Sequence, residues 1–174
     1  KVAFHQPSRI AEVKPLMTLL TAGRIKVVRA TGDRAMLNEV GDEIASLLMA
    51  ARDQGGQFVH PGALFKASSF MEEHAALGEL ASLVVDPIDV ANALLRAGYV
   101  TKATCDEGVD YLQRTGSIAR SAVTDGSPLF IDGLAFQYFQ QAKLIQPLIN
   151  SGLVISVHQS TVDEWQALLA AEPQ

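Results

Sequence analysis

The sequence predicts an α/β fold: a short, mainly parallel sheet flanked by helices. Two observations predict it. Short apolar runs alternate with stretches whose apolar residues recur at helical spacing, the strand–helix–strand rhythm that favours parallel pairing. The composition, 48% apolar and 19% charged over 174 residues, is that of a globular chain, long enough for one full core or for one domain and part of another.

The elements follow in order. Ser8 to Leu20 is predicted helical, with Ile10, Val13, Leu16, Met17 and Leu20 on one face, Ser8 as cap and Gly23 as terminator. Ile25 to Val28 is a short strand. Thr31-Gly32-Asp33 opens a long helix, Arg34 to Gln54, with Leu37, Val40, Ile44, Leu47, Leu48 and Ala51 as its apolar stripe and Gly55-Gly56 as its stop. Gln57 to His60 reads as the next strand. Pro61 to Leu80 is irregular, a long loop with a helical turn. Leu83 to Val85 is a short strand, and Pro87 to Ala97 a helix with Pro at its first turn and Gly98 beyond its end. Thr101 to Gln113 is helical, and Arg114 to Pro128, rich in Gly, Ser and Thr, is a linker or long loop. Leu129 to Ile131 is a strand ending in Asp132-Gly133. Helices at Leu134 to Ala142 and Leu144 to Asn150 lead to the clearest strand, Leu153 to Val157. Ser160, with Asp163 three residues on, caps a last helix that buries Val162, Trp165, Leu168 and Leu169.

Charge and composition narrow the function classes. The net charge of −5 gives no basic footprint, which argues against a module that simply coats nucleic acid. A nuclease that holds metal ions in a carboxylate cluster escapes this objection, because the ion supplies the positive charge that meets phosphate. No apolar run is long enough for a membrane span, so no membrane partner is expected. The single Cys105 forms no intramolecular disulfide and is compatible with the expected cytoplasmic location. Asp106 and Glu107 beside it raise its thiol pKa and work against a nucleophile. The four histidines, His5, His60, His74 and His158, are scattered and read as surface or loop residues, and Glu72-Glu73-His74 lacks the second His of a zinc helix. The chain starts at Lys1 with no initiator Met and no secretory segment, so it is expected to be part of a larger chain.

Asp132 stands where an apolar strand gives way to a helix, and ligands of open α/β sheets collect at the carboxyl ends of strands. Its plainer role is a turn residue before Gly133. Glu164 lies roughly 110° from the centre of the last helix's apolar stripe, at a cleft edge or in solvent. The stretch LFIDGLAFQYFQQAKLIQPLINSGLVISVHQSTVDEW, Leu129 to Trp165, resembles the opening of a PIN domain: a strand ending in Asp, a helix, a second strand, a polar cap and a helix carrying Glu. Asp132 matches the first acid of that pattern and Glu164 the second. Val40 to Leu48 resembles the helix that carries a third acid, with Asp42 in place of the usual Glu and Glu43 next to it; a solvated helix face opposite the apolar stripe is the plainer account of both. Val84 to Asp89 resembles the late strand–Asp–helix segment of the same fold, although Asp86-Pro87 also has a capping explanation.

The resemblance implies a divalent-metal-dependent nuclease acting on RNA, with Asp132 and Glu164 catalytic and Asp132, Glu164, Asp42 and Glu43 as ligands of Mg²⁺ or Mn²⁺. Hard divalent cations take carboxylate oxygen. The alternative is a catalytically inactive PIN-like module serving in protein interaction or regulation within a larger chain. The order of segments is unusual: features of the fold's later half occupy 1–120, a linker 121–128, and the opening segment 129–174. Either two partial domains meet here, or the halves close into one domain in permuted order. The stretch Val40 to Trp165 is also similar to parts of large multidomain bacterial proteins. The sequence leaves the oligomeric state open.

Overall fold

A computed structural model describes residues 7–67 and 69–171. His5, Ser68 and the side chains of Ser8 and Ile10 lie outside the described residues. The elements are α1 (Pro7–Thr21), β1 (Ile25–Val28), α2 (Arg34–Val40), α3 (Asp42–Gln54), β2 (Gln57–Val59), a 3-10 turn (Gly78–Leu83), β3 (Val84–Val85), α4 (Pro87–Arg96), α5 (Lys102–Arg114), β4 (Leu129–Ile131), α6 (Gly133–Gln141), α7 (Ile145–Asn150), β5 (Ile155–His158) and α8 (Gln159–Ala170). The five strands form one sheet in the order β1-β5-β4-β2-β3, and every pairing is parallel. The predicted α/β class with helices flanking a parallel sheet is what the chain adopts. Strands from before and after the 121–128 segment interleave in that sheet.

Alternation along each strand assigns its side chains to two layers. Phe58, Val84 and Phe130 pack with Leu47, Leu48 and Ala51 of α3 on one face. Val59, Val85, Leu129, Ile131, Ile155 and Val157 point the other way, into a larger core with Leu16 of α1, Leu94 of α4, Leu112 of α5, Phe136 and Phe139 of α6 and Trp165 of α8. The ring of Phe136 meets Trp165 edge-on, with centroids 5.1 Å apart. Strands β2 to β5 are buried on both faces, as in the interior of a parallel sheet, whereas β1 at the edge exposes Lys26.

Two local expectations are corrected. The long helix from Arg34 to Gln54 is two helices, broken at Gly41, which adopts φ 87°. That left-handed value has almost no cost for glycine alone. The apolar stripe continues in phase across the break, so periodicity alone read one helix. The break places Asp42 and Glu43 in the first turn of α3, where carboxylates interact well with the helix dipole. The last helix is capped by His158 rather than Ser160: the strand runs on to His158, and its Nδ1 accepts the Ser160 N–H at 3.1 Å. The segment between α5 and β4 is irregular, as expected, and is tied to β2. There Gln57 Oε1 accepts the Thr124 N–H at 2.9 Å, and Val123 is buried.

At the end of β3, Asp86 caps α4 and forms a capping box with Asp89. Its carboxylate is fully buried and accepts backbone N–H groups from Ile88 (2.9 Å), Gly62 (2.9 Å) and Ile118 (3.0 Å). Asp89 accepts those of Asp86, Arg120 and Ser121. These two acids therefore fasten the loops after β2 and α5 to the end of β3. Asp86→Ala strands three backbone donors at once. It is expected to destabilise the protein by about 3–4 kcal/mol, from roughly 1–3 kcal/mol per buried unsatisfied group with partial rehydration. Urea denaturation checks this, and a loss below about 1 kcal/mol would contradict the fastening role.

Candidate functional site

Parallel register builds the site. Phe58, Phe130 and Ser156 lie side by side on β2, β4 and β5, and Val28 of β1 pairs with His158. Two residues beyond Phe58, Phe130 and Ser156, the same alternation sets His60, Asp132 and His158 in a row across the carboxyl edge, on the face that α3 covers. Asp86, two residues beyond Val84, ends the row on β3. A parallel sheet ends every strand on one edge, so these residues come together although the sequence separates them widely.

Asp132 is 4% exposed. One carboxylate oxygen caps α6 by accepting the Ala135 N–H at 2.7 Å, and the other is hydrogen-bonded to Nδ1 of His60. The His60 ring stacks on Phe58 at 6.0 Å with 17° between planes, which fixes its orientation from below. Next to Asp132, the Gly133 N–H donates to Oε1 of Glu43 at 2.7 Å, so the first turn of α3 is held against the start of α6. A side chain at Gly133 would crowd this contact, since a Cβ there would lie 3.3 Å from the Glu43 oxygen and 3.1 Å from Oγ1 of Thr161.

Glu43 is the electrostatic centre of the group. Burial pushes its carboxyl pKa above the ordinary value, and the charges of Asp132 and Glu164 push it further. The Gly133 N–H and His158 pull it back. Glu164 stands on the exposed side of α8, where Oε1 accepts from the Gln137 amide at 3.3 Å. Asp42 sits at the flank. Its Oδ2 is 3.5 Å from Nε2 of His158, and its Oδ1 accepts from Ser46 Oγ, which in turn accepts the Thr31 N–H. Nε2 of His158, in a residue only 5% exposed, has no hydrogen-bond partner among the described residues.

The structure thus places Asp132 and Glu164 each within electrostatic reach of Glu43 and sets Asp42 beside His158. Sequence reasoning missed His60 and His158, which it read as surface or loop residues and which are in fact partners of the acids. A signal was present: both stand at the end of an apolar strand, the position that singled out Asp132. The donor set is rich in hard carboxylate oxygen, which suits Mg²⁺ or Mn²⁺. Among the described residues, however, no group of three or more His, Cys, Asp or Glu is placed so that it could hold a metal ion. Cys105 lies elsewhere, buried against α4 with its Sγ 3.6 Å from the Ala91 carbonyl. Burial first, and then Asp106, raises its thiol pKa, in the direction the sequence led us to expect.

The Glu43 shift has a consequence for stability. An acid whose pKa is raised on folding stays protonated more readily in the folded than in the unfolded state, so its ionisation is a cost to folding. That cost is absent well below about pH 4.3, where glutamate is protonated even in the unfolded chain, and grows as pH rises through the raised value. Glu43→Gln keeps the acceptor for Gly133 and removes the charge. It is expected to raise Tm at pH 7 by about 1–3 °C and to have little effect near pH 4. Calorimetry at the two pH values checks this; an equal effect at both would show that charge is not the cause.

No family model, no curated protein and no solved structure matches the chain.

Proposed function

We propose that the chain is a PIN-like domain whose carboxyl edge holds a divalent cation, Mg²⁺ or Mn²⁺, and cuts phosphodiester bonds in RNA. The observation that carries this reading is the gathering of Glu43, Asp132 and Glu164 from three separate elements around one half-buried carboxyl whose proton affinity their charges raise. Like charges brought together at a cost are what a cation site contains before its ion arrives. Topology supports the same reading. Counted from β4 as the first strand, the sheet order becomes 3-2-1-4-5, that of doubly wound nucleotide-binding sheets, with Asp132 and His60 on either side of the switch point. That count also favours a single domain in permuted order over two partial domains.

In this reading Glu43 and Glu164 hold the ion and Asp42 flanks them. Asp132, both of whose oxygens are already hydrogen-bonded, acts from behind by fixing Gly133 and therefore Glu43. A bound cation supplies positive charge for the phosphate and a polarised water. It also resolves the conflict between an acidic chain and a polyanionic substrate.

A second reading, a catalytically inactive module for protein interaction, is favoured by one observation. Each of these acids already has an internal partner: His60 for Asp132, the Gly133 N–H for Glu43 and Ser46 Oγ for Asp42.

Thermal unfolding with and without Mn²⁺ separates the two. The first reading expects millimolar Mn²⁺ to raise Tm of the wild type by several degrees, following the mass-action relation for a ligand that binds only the folded state. It expects the rise to vanish in Glu43→Gln and Glu164→Gln, together with Mn²⁺-dependent cleavage of single-stranded RNA. A wild type that gains no stability from Mn²⁺ and leaves RNA intact selects the second reading.

A further inference from the structure

The connection between β2 and the 3-10 turn is a framed arm. Phe65 and His74 pair as an antiparallel bridge, with their ring centroids 5.3 Å apart. The Lys66 N–H donates to the Glu73 carbonyl at 2.7 Å, and the Ala75 N–H to the Leu64 carbonyl at 2.9 Å. Glu39 of α2 clasps both legs. Its backbone carbonyl accepts the Ala67 N–H at 2.8 Å, and its Oε1 accepts the Ala76 N–H at 2.7 Å. At the turn, Oγ of Ser69 accepts the N–H groups of Met71 and Glu73. Leu64 anchors the base of the arm in the layer under α3. This frame carries Phe70, fully exposed, and Met71, 84% exposed, side by side at its tip. Among the described residues they are the two most exposed large apolar side chains. Because backbone hydrogen bonds already hold the tip out, a contact made there costs little further ordering.

We propose that this tip docks in a groove on a second copy of the chain. The groove, of about 380 Å³, runs between α1 and the corner of α6 and α7. Ala11, Pro15, Leu16, Ile145 and Ile149 line it, and Lys143 stands exposed at its rim. Its volume lies in the range of about 300–1,000 Å³ typical of pockets that enclose apolar groups. Charge matches as well as shape. Exposed Glu72 and Glu73 follow the apolar tip and complement Lys143, while Lys66 near the base of the arm complements Glu12 on the α1 wall. Tip and groove lie on opposite faces of the sheet: Leu64 packs in the layer of α3, whereas Leu16, Ile145 and Ile149 pack in the other. The contact is therefore between molecules and head-to-tail, each copy giving its tip to one neighbour and its groove to another. A phenylalanine side chain buries about 150–250 Å². With Met71 beside it, the tip supplies about half of the ~800 Å² per partner of a standard stable interface, so the association is weak and concentration-dependent. Neither a cation nor RNA cleavage enters into this contact.

Sedimentation equilibrium of the purified chain tests this. Between about 10 μM and 1 mM, the range of a weak interface, the wild type is expected to pass from monomer to species larger than a dimer. Phe70→Ser removes the tip. Ala11→Glu narrows the groove and sets a carboxylate against the acids beside the tip. Both positions are exposed, so both variants are expected to keep the wild-type Tm. Each alone is expected to lower the association constant at least about tenfold, the usual loss at a central apolar anchor. Mixed together, the two variants are expected to form a dimer that grows no further, because one retains a groove and the other a tip. Wild-type association by Ala11→Glu alone would show that tips meet tips, and overturns the groove assignment. Undiminished association of Phe70→Ser overturns the role of the tip. A wild type that stays monomeric at about 1 mM overturns the second copy as occupant and assigns the tip to a partner of different sequence.

Discussion

Everything at the carboxyl edge depends on the parallel register of β4 between β5 and β2. Because all strands run the same way, each ends on the same side of the sheet. Because side chains alternate, residues at equivalent positions share a face. Phe58, Phe130 and Ser156 therefore fix where His60, Asp132 and His158 appear. A one-residue slip of β4 would turn Asp132 into the larger apolar core and Ile131 toward α3. The aromatic pair Phe58 and Phe130 under α3 guards against that slip, since both rings fill the layer that α3 closes.

A row of ionisable groups at a buried edge is costly, and the fold meets the cost in two ways. On β3, Asp86 and Asp89 are saturated with backbone N–H groups and are structural. At the ends of β4 and β5 and the start of α3 the neutralisation is partial. Asp132 has a helix cap and an imidazole, Glu43 has one N–H and acidic neighbours, and His158 leaves one nitrogen without a hydrogen bond. The gradient from full to partial satisfaction separates scaffold from candidate site more sharply than residue type does, because Asp86 and Asp132 look alike in sequence, each an acid ending an apolar strand before a helix. Incomplete satisfaction sacrifices stability, and such sacrifice is concentrated where a ligand is to be met.

The halves of the chain are interdependent. The acids of α3 come from early in the chain and Asp132, His158 and Glu164 from late in it, yet the Gly133–Glu43 hydrogen bond and the pairing of β1 with β5 join them. The site is consequently a product of sheet closure, and neither half carries it alone.

The sequence by itself determined the fold class and most elements, because continuous apolar strands and periodic helices are local patterns with a physical cause. It also determined that Asp132 stands at a strand end. It misjudged the helix break at Gly41, since an apolar stripe that stays in phase does not reveal a left-handed glycine. It also missed the His158 cap, since an imidazole acceptor has no motif among the usual capping residues. The partnership of His60 with Asp132, the approach of Glu43 to Gly133 and the contact of His158 with Asp42 were decided only by tertiary structure. Each depends on which strands are neighbours, and strand order is set by long-range packing and crossover direction, which no window of sequence contains.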